Sequence, residues 1–305
     1  MKWHIAVLAA LFVSASAHAA EKLKVVATFS ILGDIVQTIG GEKVDVKIIV
    51  GPNEDAHVYE PTPNDARALA EARLVFVNGL NFEGWIDRLI NASGTKGKVV
   101  VASKGVKVRR IPRGRDGTHD HGRQHDHGQV DPHAWQNLEN GAIYVQNAAD
   151  ALIAADPANA AYYRANARGY SASLILMHSA MVAKFKAIPG ARRKIVTSHD
   201  AFGYFADAYG LTFLAPEGLS TEGEPSAADV VNIITQIRRD RITAVFIENM
   251  SSRRIVDQIA RETGAKVGGT LYADALSGKD GPASSYVKIF EHNSRQLLNA
   301  LSPGS

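Results

Sequence analysis

Short, nearly unbroken apolar runs alternate with amphipathic stretches along most of this chain. The runs at 24–28 (KVVAT), 44–50 (VDVKIIV), 74–78 (LVFVN) and 98–102 (KVVVA) are β-branched and bounded by polar residues. Their length and near-continuous hydrophobicity predict buried parallel strands rather than short helices. Between them the spacing of apolar positions predicts helices over 30–39, 63–72 and 82–91. A second series predicts strands at 194–198, 211–215, 244–248 and 266–269, with helices at 202–209, 226–239, 253–263 and 282–301. Ser226 after Pro225, with Asp229 three residues on, forms a capping box that marks one helix start. Two βα-repeating lobes of similar plan follow from this pattern.

The stretch between the lobes, 158–187, holds no proline and a single glycine, Gly169, and is rich in Ala, Leu, Met and Tyr. Asp156-Pro157 opens it and Pro189-Gly190 closes it, which predicts one long helix. The expected organisation is a leader at 1–19, a first lobe at 20–137, a helical linker at 138–190 and a second lobe at 191–305. The leader reading rests on Lys2, a short apolar run at 5–13 and the Ala17-His18-Ala19 cleavage signal.

Composition narrows the chemistry. The 305 residues are 46% hydrophobic and 21% charged, an ordinary globular balance. A net charge of +3 without one dominant basic patch argues against nucleic-acid binding. No segment reaches the roughly 18 apolar residues of a membrane span. There is no cysteine, so neither a disulfide framework nor a thiol for lipid attachment is expected. The expectation is therefore an exported, periplasmic protein that is not a lipoprotein. Any metal site must be built from His, Asp and Glu.

Histidine is concentrated. His119, His121, His125 and His127, interleaved with Asp116, Asp120 and Asp126, form an acidic His-rich loop over 116–128. Such a donor strand suits zinc, copper or nickel. Its internal position and irregular spacing distinguish it from an affinity tag. Other chemistry-bearing residues fall where open α/β lobes bind ligands, beyond the carboxyl ends of strands. His57 lies in a Pro-bounded loop after the 44–50 strand, and His133 lies in DPHAW just before a helix. His199 directly follows the 194–198 strand, and Asp274 comes a few residues after the last strand. Three imidazoles and a carboxylate make a closed tetrahedral set for zinc.

Glu60 and Asp200 are candidate acceptors for an imidazole N–H, with a helix-capping role the stronger expectation for Asp200. Glu248 ends a strand and faces the crevice. Trp85, Trp135, Phe202 and Tyr204 are expected to pack around the site. His178 falls within the long helix, and Arg109, Arg110, Arg113 and Arg115 read as a solvated flank.

The segments DAHVYEPTPND, NGLNFEGWID, DPHAWQNLEN, TSHDAFGYFADAYGL, EGEPSAADV and LYADALS resemble the zinc- and manganese-binding solute receptors of bacterial ABC importers (the cluster A-I metal receptors). The similarity runs from about Leu23 to Leu301, with the motifs in the family's order. It implies an α/β fold of two Rossmann-like lobes joined by a single long rigid helix, with the metal in the interlobe cleft. It also implies His57, His133, His199 and Asp274 as ligands, a permease of the inner membrane as partner, and a role in capture and delivery rather than catalysis. Histidine at position 199 and the His-rich loop resemble the zinc branch; the manganese branch typically places a carboxylate there. Ala56 departs from zinc receptors that carry an acid before the first histidine. The expected protein is thus a monomeric Zn²⁺ receptor, with weaker auxiliary sites on the loop histidines and a metallochaperone as a further possible partner. A manganese or iron receptor is the first alternative, and a zinc hydrolase the second. The absence of an H-E-x-x-H motif speaks against the hydrolase.

Overall fold

The computed structural model describes residues 21–111 and 129–302. The leader and the His-rich loop, with His119, His121, His125 and His127, lie outside the described residues. In the first lobe, β1 (Leu23–Phe29), α1 (Ser30–Gly40), β2 (Val44–Val50), α2 (Pro63–Glu71), β3 (Leu74–Val77), α3 (Ile86–Ser93) and β4 (Lys98–Val101) follow one another. A short antiparallel pair, β5 (Arg110–Ile111) with β6 (Gln129–Val130), brackets the undescribed stretch. Two helices come next, α4 (Leu138–Ala155) and α5 (Ala160–Lys186). The second lobe contains β7 (Lys194–Val196), α6 (Gly203–Tyr209), β8 (Thr212–Leu214), α7 (Ala227–Asp240), β9 (Ala244–Glu248), α8 (Arg253–Thr263), β10 (Lys266–Leu271) and α9 (Tyr286–Leu301).

Both four-stranded sheets are parallel, with orders β2-β1-β3-β4 and β10-β9-β7-β8. Read from its other edge, the second order is β8-β7-β9-β10, the same topology one lobe later. Strand order therefore reverses between β1 and β3 in one lobe and between β7 and β9 in the other, and the loops leaving the strand ends diverge there to leave a crevice. The strands form because Val25, Val26, Ala27, Val75, Phe76, Val245 and Phe246 are covered on both faces by helices.

The expected long helix, α5, joins the lobes. α4 lies along α5, and α5 also packs on α1, α6 and α9. Its buried positions, Tyr163, Ala167, Leu174, Met181 and Phe185, recur at intervals of four and seven and trace one stripe. At 27 residues it is about 40 Å long. One hydrophobic core runs from β1 through α4 and α5 to α6 and α9, so the two lobes share their interior. A smaller cluster under α7 and α8 belongs to the second lobe.

Several expected helix starts shift. The helix expected from Phe82 begins only at Ile86, because Gly79, Leu80 and Asn81 take positive φ of 81°, 56° and 63°. Residues with positive φ cannot belong to a right-handed helix, and the chain completes this turn before α3 begins. The helix expected from Pro282 begins at Tyr286, capped by the Ser285 side chain. The expected capping box at Ser226 and Asp229 is formed, with Ser226 N–H donating to Asp229 at 3.1 Å.

Candidate metal centre

His57, His133, His199 and Asp274 come from four separate loops and converge in the cleft, each offering one atom within 4.8 Å of the others. His57 Nε2 stands 3.3 Å from His133 Nε2 and 3.3 Å from Asp274 Oδ2. His199 Nε2 is 3.1 Å from Asp274 Oδ2, and His133 Nε2 is 3.7 Å from Asp274 Oδ1. All four side chains are buried; the His57 ring retains 4% exposure and the others none. Asp274 Oδ1 is buried without a hydrogen-bond partner. An unpartnered carboxylate oxygen among three converging imidazole nitrogens costs free energy unless a cation satisfies it.

The far side of each ring explains its aim. His133 Nδ1 lies 2.9 Å from Asp131 Oδ1, which also accepts the His133 backbone N–H at 3.0 Å. Arg109 pairs with the other Asp131 oxygen at 3.0 Å and reaches Asp207 on α6 at 3.2 Å. A carboxylate on Nδ1 leaves the Nε2 lone pair pointing inward, the arrangement that metal-binding histidines use. His199 Nδ1 sits 2.5 Å from Glu248 Oε2, while Glu248 Oε1 accepts the Ser198 and His199 N–H groups.

Two tryptophans fix the backbone before a site residue on opposite sides of the cleft. Trp85 Nε1 donates to the Ala56 carbonyl at 2.8 Å, and Trp135 Nε1 to the Ala273 carbonyl at 3.0 Å, with Gln136 donating to the same oxygen. Phe82 closes the wall edge-on to His57, with ring centroids 4.7 Å apart.

Charge follows this geometry. Burial works against ionising Asp274, but the imidazoles of His133 and His199 outweigh it and hold the carboxyl well below the usual range. Burial likewise pulls His199 down, yet Glu248 and Asp274 raise it well above an ordinary histidine. His57, nearer the cleft mouth, is lowered by burial against the pull of Asp274.

Other expectations are corrected. Glu60 is exposed and takes no part in the cluster. Asp200 caps no helix: α6 starts at Gly203 after Phe202, which makes no side-chain cap bond. Phe202 stacks on Phe213, and Tyr204 O–H donates to the Asp131 carbonyl. His178 packs on Tyr209. Arg109 is no solvated flank but holds Asp131, whereas Arg113 and Arg115 lie outside the described residues. Asp131, two residues before His133 in the DPH motif, was the signal available in sequence for the orienting acid.

Two α/β lobes closed over a buried set of three imidazoles and a carboxylate define a receptor for a metal ion. Residues 25–300 match the family model described as zinc-uptake complex component A, periplasmic (ZnuA), and the chain belongs to that family of ABC metal-importer receptors. It is 33% identical over 304 residues to a manganese ABC transporter substrate-binding lipoprotein, PsaA, of Streptococcus anginosus, covering 98% of this chain and 95% of that protein. It is 34% identical to an iron ABC transporter substrate-binding lipoprotein, MtsA, of Streptococcus pyogenes, covering 92% and 89%. The periplasmic zinc-binding protein TroA of Treponema pallidum superimposes with a TM-score of 0.82 at 27% identity, covering 92% of this chain and all of that one. The relatives are substrate-binding receptors, which removes the hydrolase reading. They also correct the expectation of location. It inferred a protein that is not a lipoprotein from the lack of cysteine, but the streptococcal relatives are lipoproteins by name.

Proposed function

We propose that this receptor captures Zn²⁺ for an ABC permease, with His57, His133, His199 and Asp274 holding one ion. The donor chemistry carries this reading. Zinc bonds of about 2.0–2.1 Å place neighbouring donors of a regular tetrahedron about 3.3 Å apart. The spacings of 3.1, 3.3 and 3.3 Å match that edge, and the His133–Asp274 spacing of 3.7 Å is somewhat wider. Three imidazoles suit zinc better than manganese, which favours oxygen-rich sets. The receptor acts as a monomer. The loop histidines His119, His121, His125 and His127 add weaker sites, and a metallochaperone is a further partner of the receptor.

A manganese or iron receptor is the second reading, favoured by the printed cargo of the streptococcal relatives. Affinity alone does not separate the two, because almost any nitrogen and oxygen site binds zinc more tightly than manganese. Coordination number does. Protein loaded with one equivalent of Co²⁺ is expected to show the intense visible absorption of a four-coordinate ion. The weak spectrum of a six-coordinate ion, together with uptake of manganese but not zinc through the cognate permease, would overturn the zinc assignment. His199→Ala is expected to abolish tight one-to-one binding while leaving far-ultraviolet circular dichroism unchanged.

A further inference from the structure

His57 is the site residue nearest solvent, and its loop, residues 51–62, is sewn to the other lobe at its edge. Asn53 N–H donates to the Leu276 carbonyl at 2.9 Å, and Asn249 Nδ2 donates to Asn53 Oδ1 at 3.1 Å. The shortest of these stitches is Thr221 Oγ1 donating to Asp55 Oδ2 at 2.6 Å, across 166 positions of sequence. The same carboxylate accepts the backbone N–H of His57 through Oδ1 at 2.9 Å. One side chain thus grips the His57 main chain with one oxygen and the opposite lobe with the other.

Every other imidazole of the cluster is sealed, so an ion leaving the site passes where His57 lifts. Lifting that loop stretches the Asp55–Thr221 bond while the linker helices stay packed. We propose that Asp55 is a positioning residue for metal release: with Thr221 it forms a latch that sets how long His57 stays closed on the ion. This rests on the metal-binding assignment of His57 above. It assigns to the pair a kinetic role that neither the donor set nor the fold requires.

A latch acts on departure more than on entry, because the open loop already exposes the donors. A hydrogen bond to an ionised group is a strong one even after solvent competition, so its loss is expected to speed release about tenfold. The full chain is loaded with one equivalent of Zn²⁺ and mixed with excess EDTA, and release is followed by stopped flow. Thr221→Val is expected to release zinc about tenfold faster than wild type, with association changed less than about twofold and one ion still bound. Thr221→Ser keeps the hydroxyl and is expected to restore the wild-type rate. Asp55→Ala combined with Thr221→Val should release no faster than Asp55→Ala alone, since both remove the same bond. Unchanged release in Thr221→Val, or a Thr221→Ser as fast as Thr221→Val, overturns the latch while the site stands. A wild-type chain that binds no ion overturns both.

Discussion

At the residue scale, the converging donors and the acids behind them are separable. Asp131 and Glu248 contribute no atom to the four-donor set, yet each backs one imidazole from its far side. Removing such a partner from a metal-binding histidine typically costs 10–100-fold in affinity. Asp131→Asn and Glu248→Gln are each expected to weaken zinc by that order in competition titrations with a chelator, at unchanged stoichiometry. A loss below threefold in both would remove their orienting role. Glu217, between β8 and α7, has a carboxyl that burial pushes up to about 7 from 4.5. Below pH 4.5 folded and unfolded chains both hold this proton. Between pH 4.5 and 7 the unfolded chain gives it up first, so the group lowers stability as pH rises through that window. The side chain is partly exposed, which reduces the expected effect to about 1 kcal/mol. Glu217→Gln should therefore gain about that much over wild type at pH 8 and little at pH 4, measured by urea unfolding of metal-free protein.

At the element scale, the strands were the most readable part of the sequence. β2 and β9 fall where the runs VDVKIIV and AVFIE place them: β9 is an interior strand buried almost throughout, whereas β2 at the sheet edge leaves Asp45 and Lys47 exposed and is marked by its β-branched apolar positions. The start of α3 was not readable. Leu80 is an ordinary helix-compatible residue, and its left-handed backbone is imposed by the turn it belongs to. The meeting of His57, His133, His199 and Asp274 could be anticipated from strand-end position and family resemblance. Arg109 as the brace behind Asp131 could not, since the two stand 22 positions apart and are brought together only by the β5–β6 pairing. Gly141 on α4 tests packing against propensity. A Cβ there would stand 2.5 Å from the Tyr286 hydroxyl, on a ring that is fully buried and cannot swing away. Alanine is favoured over glycine in a helix by about 1 kcal/mol, but overpacking costs about 1–3 kcal/mol. Gly141→Ala is thus expected to lower thermal stability; a rise in melting temperature would show that Tyr286 relocates freely.

At the scale of the whole molecule, the short β5–β6 pair closes the ends of the His-rich stretch next to Asp131, so the stretch can be excised without cutting either sheet. Deleting 118–128 is expected to leave one tightly bound zinc per chain in calorimetry and to remove weaker additional binding. Disappearance of the tight event would mean that the loop, not the cleft, holds the cargo. The shared interior has a different consequence. Phe185 of α5 meets Phe205 of α6 edge-on, and Tyr286 at the start of α9 donates to the carbonyl of Trp135, which belongs to the first lobe. Such a chain has no seam along which to be cut. Either half produced alone would carry raw apolar surface where its sibling belongs, and would reach the insoluble fraction of a cell lysate instead of surviving as an independent module.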